Sequence, residues 1–133
     1  MIKLVLDTNV LVSSFMKSTS KPAQVYDLIP NERVKIYYSK GIIAEYNDVL
    51  FRANFSFDKI FVQNTINTIL ELGTEITPTS SNIPMKDETD RIFYDTAKEA
   101  EAYLVTGNLK HYPQPLEPFV LTPSAFLDLL SNE

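Results

Sequence analysis

Short, nearly continuous apolar runs alternate along this chain with segments whose apolar residues recur every three or four positions. The first run, residues 2–6, is rich in apolar and β-branched side chains, as a strand buried on both faces requires. Thr8 or Asn9 can cap a helix that follows through Val10, Leu11 and Phe15. Residues 17–21 read as a polar loop, and Pro22 suits the first turn of a second helix reaching about Ile29. After a turn at residues 30–32, a second strand is predicted from Val34 to Tyr38, with Tyr37 and Tyr38 on opposite faces. Ser39 can cap a third helix whose apolar stripe is Ile42, Ile43, Tyr46, Val49 and Leu50. A fourth helix is expected from about Phe57 to Leu72, with Ile60, Phe61, Ile69 and Leu72 as apolar positions and Gly73 as its stop signal.

The rest of the chain repeats the alternation. Residues 74–77 can form a short strand and residues 78–84 a loop. A helix is predicted from about Asp87 to Ala100, then a strand over residues 102–106 that breaks at Gly107-Asn108. A loop at 113–118 precedes a brief strand at 119–121, and Thr122-Pro123 opens a last helix with Phe126, Leu129 and Leu130 inward. Strands alternating with helices predict an α/β fold, a parallel sheet covered on both faces, in one domain over residues 1–133. In such sheets, sites form beyond the carboxyl ends of the strands.

Composition narrows the chemistry that such a site can perform. Of the 133 residues 44% are hydrophobic and 22% charged, which is ordinary for a globular domain. The absence of cysteine excludes a disulfide scaffold, a thiolate zinc site and a cysteine nucleophile together. With one histidine, a metal site must be mostly oxygen-ligated. No apolar run approaches the roughly 20 residues that span a bilayer, and the first residues lack a signal peptide's shape. A soluble, cytoplasmic protein without a membrane partner is therefore expected. The net charge of −5 is uneven, with a positive surplus in the first 59 residues and a strongly acidic remainder. On total charge alone, a nucleic-acid partner is disfavoured.

Four oxygen-bearing side chains fall where a site should be. Asp7 follows the first strand at the carboxyl edge of the sheet, where it caps the next helix or serves a site; Thr8 and Asn9 make a third cap redundant. Glu45 falls at the edge of the third helix's apolar stripe, either as a surface residue or turned towards a shared site, whereas Asp48 lies well away from it. Asp87, Glu88 and Asp90 cluster at a helix start, where the helix dipole favours acids. Asp90 shares the inward face of Phe93 and Ala97, and Asp87 reads as a cap or an outer group. Asn108 repeats the position of Asp7 at the end of another buried strand. Three carboxylates converging without basic partners are expensive to bury. A hard divalent cation relieves that cost, and oxygen ligands suit Mg2+ or Mn2+. Phosphodiester hydrolysis is the chemistry that follows.

The run Leu4-Val5-Leu6-Asp7-Thr8-Asn9-Val10-Leu11-Val12-Ser13 resembles the opening signature of the PIN-domain nucleases. More narrowly, the chain resembles the toxin components of bacterial and archaeal toxin–antitoxin systems. The likeness continues through residues 39–45, 87–93, 104–108 and 121–127, and so covers nearly the whole chain. The resemblance implies a three-layer α/β/α sandwich with a central, mainly parallel sheet, and a Mg2+- or Mn2+-dependent ribonuclease similar to VapC-type toxins. It implies that Asp7, Glu45 and Asp90 bind the metal, that Thr8 and Asn9 arrange the first turn, and that the partners are RNA, a cognate antitoxin and a second copy of the chain. The family's fourth acid falls at Asn108, which keeps an oxygen but not the charge, and Asp87 partly makes up the difference.

Other residues near the expected edge keep two readings. His111 can touch a phosphate, act as a general acid or simply be solvated. Tyr112 can stack on a base or pack in the core. Lys17, Lys21 and Lys40 can meet phosphates or solvent. A haloacid-dehalogenase-like phosphatase also has an aspartate after its first strand, but needs a second two positions on, where this chain has Asn9. A PIN fold that has lost catalysis and binds protein is the remaining alternative, with Asn108 as its sign.

Overall fold

In the computed structural model, which describes residues 1–132, five parallel strands form one sheet in the order β3-β2-β1-β4-β5. The strands are β1 (Lys3–Leu6), β2 (Lys35–Tyr38), β3 (Thr74–Glu75), β4 (Tyr103–Val105) and β5 (Val120–Leu121). The helices are α1 (Thr8–Met16), α2 (Lys21–Asp27), α3 (Lys40–Leu50), α4 (Lys59–Leu72), α5 (Arg91–Ala100) and α6 (Pro123–Ser131). Helix α5 packs across β1, β2 and β4, while α1, α2 and α6 pack together as a second group. The result is the expected three-layer α/β/α sandwich. Leu4, Val5, Leu6, Leu104 and Val105 are fully buried, which is why β1 and β4 read as continuous apolar runs and not as alternating ones.

Several boundaries follow side-chain chemistry visible in the sequence. Ser39 accepts a hydrogen bond from the Ile42 N–H, and Thr122 from the Ala125 N–H, each closing the first turn of its helix. Ser20 does the same for α2, so that helix starts at Lys21 with Pro22 in its first turn and ends at Asp27, short of Ile29. Asp58 caps α4 through the N–H groups of Ile60 and Phe61, which moves its start from Phe57 to Lys59. Tyr37 and Tyr38 lie on opposite faces as expected, Tyr38 buried and its hydroxyl donating to the Leu70 carbonyl at 3.2 Å.

Other expectations need correction. Neither Thr8 nor Asn9 caps α1; Asp7 holds the cap position, and no side chain there caps the helix. The helix predicted from Asp87 begins as a 3-10 turn, Glu88–Asp90, before α5, and a second such turn, Leu109–His111, follows β4. Helix α4 buries Val62, Thr65, Ile66 and Ile69, leaving Ile60 and Phe61 exposed at 74% and 53%. Phe61 instead meets Phe15 edge-on, 5.0 Å between ring centres, beside Phe57.

Gly73 ends α4, although not by a left-handed turn, since its φ is −89°. Close packing requires glycine here. A Cβ would lie 2.6 Å from the Ile69 carbonyl oxygen and 2.9 Å from atoms of Ile36 and Tyr38. Gly73→Ala is therefore expected to cost roughly 1–3 kcal/mol through overpacking, read from the midpoint of urea unfolding. An unchanged midpoint would show that the α4–β2 junction yields freely.

Candidate active site

The strand order reverses between β1 and β4, so the chain leaves their carboxyl ends in opposite directions and opens a crevice between them. Asp7 stands in that crevice. Its N–H donates to the Val105 carbonyl at 3.0 Å, carrying the β1–β4 ladder one residue further. Its side chain is 5% exposed, and Oδ2 accepts two hydrogen bonds, from Thr106 Oγ1 at 2.9 Å and from the Tyr112 hydroxyl at 2.7 Å. Oδ1 has no hydrogen-bond partner among the described residues. The carboxylate is thus anchored by one oxygen and has the other free.

Thr106 joins the two strand ends. Besides donating to Asp7, its Oγ1 accepts from Asn9 Nδ2 at 3.4 Å and from the Asn108 N–H at 3.1 Å. A hydroxyl offers one donor and two acceptor positions, and all three are used here. Asn9 Oδ1 accepts from the Gly107 N–H at 2.9 Å and completes the link. Asn9 therefore orders the turn after β4 and not the start of α1. Thr8 is buried with its Oγ1 unpaired.

Asp90 comes from a different element, at the end of the 3-10 turn before α5. Burial first, and the charge of Asp7 second, push its carboxyl from 3.8 up to about 6, with His111 drawing it back. Nδ1 of His111 is 3.2 Å from Asp90 Oδ2 but not aligned for a hydrogen bond, which leaves that oxygen buried and unpaired. Glu45 is half-buried on α3. Its carboxyl is raised by burial and by Asp48, opposed by Arg52, and raised further by Asp7 and Asp87, so it stands within the field of the same acids. Asp48 is exposed and paired with Arg52 at 2.9 Å.

The remaining predicted residues lie around this centre. Asp87 is exposed and caps the 3-10 turn through Thr89, whose hydrogen bonds hold its carboxyl below the usual range. Asn108 is half-buried in the turn after β4 and is tied there through its backbone. Lys40 is exposed in the first turn of α3 and forms no ion pair or side-chain hydrogen bond among the described residues. Thr106 and the Asp7-directed hydroxyl of Tyr112 are the groups holding Asp7 that sequence reasoning missed. The one available signal was a polar residue closing an otherwise apolar strand.

The donor set suits a hard cation. Two carboxylates are buried, the charge of Asp7 raises the Asp90 carboxyl, Asp7 keeps a free oxygen, and Asp90 has an oxygen with no hydrogen bond. Among the described residues no three acid or histidine side chains stand close enough to share one ion as placed. That limits the fit to an ion taking one or two carboxylates and keeping several waters, which is the habit of Mg2+.

Residues 3–110 match the PIN-domain family. This chain belongs to that family. It is 30% identical over 114 residues to the uncharacterised protein MJ1680 of Methanocaldococcus jannaschii, a match covering 80% of this chain and 71% of the relative. Its fold is similar to that of a chain in the crystal structure of VapBC2 from Rickettsia felis bound to a promoter DNA fragment, with a TM-score of 0.55. That likeness covers 82% of this chain and 90% of the other at 19% identity, and it shows the fold. PIN domains are generally nucleases that use divalent metals.

The raised Asp90 carboxyl has a definite signature. Stability from its protonated form is complete below the unfolded value, near 3.8, and is lost as pH rises through about 6. In chelator, Asp90→Asn is expected to change stability little at pH 4 and to raise it by roughly 1–3 kcal/mol at pH 8. Urea unfolding at the two pH values measures this, and an equal effect at both would remove the assigned strain.

Proposed function

We propose that this chain is a Mg2+- or Mn2+-dependent endoribonuclease of the cytoplasm, the toxin of a toxin–antitoxin pair. The observation that carries the reading is the buried pair Asp7 and Asp90 in a PIN fold, near enough for the charge of Asp7 to raise the Asp90 carboxyl, without a basic side chain to neutralise both. A bound divalent ion supplies Lewis acidity towards a phosphoryl oxygen and makes water a better nucleophile near neutral pH. Asp7 offers its free Oδ1 and Asp90 its unpaired Oδ2 as ligands. Glu45 joins them by rotating its half-exposed side chain, and Asn108 contributes a neutral oxygen from the turn after β4. Lys40 and His111 meet the phosphates that flank the scissile bond.

The antitoxin and a second copy of the chain are the proposed protein partners. Exposed Met16, Ile60 and Phe61 supply apolar surface of the kind that a protein partner covers. The solved VapBC2 assembly is a fold relative described with its promoter DNA, and its partners are carried here only as part of this proposal. No helix among the described residues is long and apolar enough to cross a membrane. Asn108 favours a second reading, a PIN fold kept for protein binding alone, because the neutral side chain removes one charge from the metal-binding set.

One experiment separates the two readings. Wild-type protein is expected to cleave a structured RNA with Mn2+ or Mg2+ and to stop in chelator. Asp7→Asn should lower the rate by on the order of 100-fold, the loss of a few kcal/mol of metal-borne stabilisation. Equal cleavage by both proteins would trace the activity to a contaminant, and inactivity of a folded, metal-loaded wild type would favour the binding module.

A further inference from the structure

Tyr112 lies outside the acid set, yet its hydroxyl makes the shorter of the two side-chain bonds to Asp7. The ring is 1% exposed and stacks on Tyr94, 6.4 Å between centres and 19° between planes. It is therefore held from behind, in the segment that follows the Leu109–His111 turn. Its hydroxyl and that of Thr106 approach the same oxygen, Oδ2, at 2.7 and 2.9 Å. Two donors on one oxygen fix the carboxylate's rotation about its last bond and leave Oδ1 as the free end.

We propose that Tyr112 is a positioning residue, which with Thr106 clamps Oδ2 of Asp7 and so commits Oδ1 to the divalent cation. This rests on the metal-dependent reading given above. The alternative is that Asp7 merely satisfies a buried hydroxyl, which any buried tyrosine needs. The two differ in what the hydroxyl's removal does. A purely structural hydroxyl lowers stability and leaves metal affinity alone. A clamp lowers metal affinity, because groups that orient a ligand typically contribute 10- to 100-fold to binding.

The test is Mn2+ titration calorimetry on the intact protein, with thermal unfolding recorded in chelator. Tyr112→Phe is expected to weaken Mn2+ binding about 10-fold or more, and Thr106→Val, which removes the second donor, to weaken it by a similar factor. Tyr38→Phe is the control, since it removes a buried tyrosine hydroxyl bonded to a backbone carbonyl elsewhere in the sheet. It should lose stability and keep wild-type affinity. Cleavage by Tyr112→Phe should recover as Mn2+ is raised, because the ligand is loosened and not removed. Wild-type affinity in folded Tyr112→Phe would overturn the clamp, as would unchanged affinity in Thr106→Val if Tyr112→Phe does not fold. A wild type that binds no Mn2+ would instead overturn the metal-dependent reading itself.

Discussion

The pairing of β1 with β4 is the constraint on which the rest depends. It matches Leu4 with Tyr103, Val5 with Leu104 and Leu6 with Val105, joining the first strand to one about a hundred residues later. Register in a buried sheet is set by which side chains reach the core, and a slip by one residue turns every side chain to the other face. Here such a slip would part Asp7 from Thr106. Closing so long a loop has an entropic cost, but that cost grows only slowly with length. The fully buried Leu4, Val5 and Leu6 of β1 and Leu104 and Val105 of β4 provide the burial that offsets it, and the polar groups at the strand ends then meet without further adjustment.

What they meet is a balance of satisfied and unsatisfied groups. Thr106 uses its donor and both acceptor positions, and Asn9 and Tyr112 each have partners within the same network. Such a network is stiff, because losing any member leaves a buried polar group unpaired. Asp90 stands against it with a raised carboxyl and an unpaired oxygen. Structural acids are normally paired where they are buried. One held at a cost beside a second acid has the character of a functional group. On the proposed reading, the stiff side orients Asp7 and the strained side favours a cation.

The elements were largely legible, because apolar runs and helical spacing report burial directly. The alternation gave five strands and six helices in the right order, and Ser39 and Thr122 marked their helix starts. Where the reading failed, tertiary contacts had overridden local pattern. Ile60 and Phe61 fit the helical stripe of α4, yet α4 meets β2 through a different face, and Phe61 lies instead against Phe15. Gly73 stops α4 as read, but the need for glycine there comes from the close approach of Ile69, Ile36 and Tyr38. At the candidate site, Asp7 and Asp90 were singled out from their places at a strand end and on an inward helix face. The hydroxyls of Thr106 and Tyr112 were not, because partners 99 and 105 residues apart are not written in local pattern, beyond the one polar residue that closes an apolar strand.

Asn108 and the chain's acidity bear on the same question, namely where attraction for a polyanion would come from. Setting Asp7, Glu45 and Asp90 aside leaves fourteen acids against twelve basic residues, so the remaining surface is close to neutral. Such a surface has little counterion release to gain from phosphates, and long-range steering is weak. A carboxylate at position 108 would add a further negative charge to a site where the charge of Asp7 already raises Asp90 and Glu45. The neutral amide spares that repulsion, so a single divalent ion offsets a larger share of the site's charge. Affinity for a nucleic acid would then reside in the crevice between β1 and β4 and be tied to metal occupancy, with the near-neutral exterior adding little attraction elsewhere.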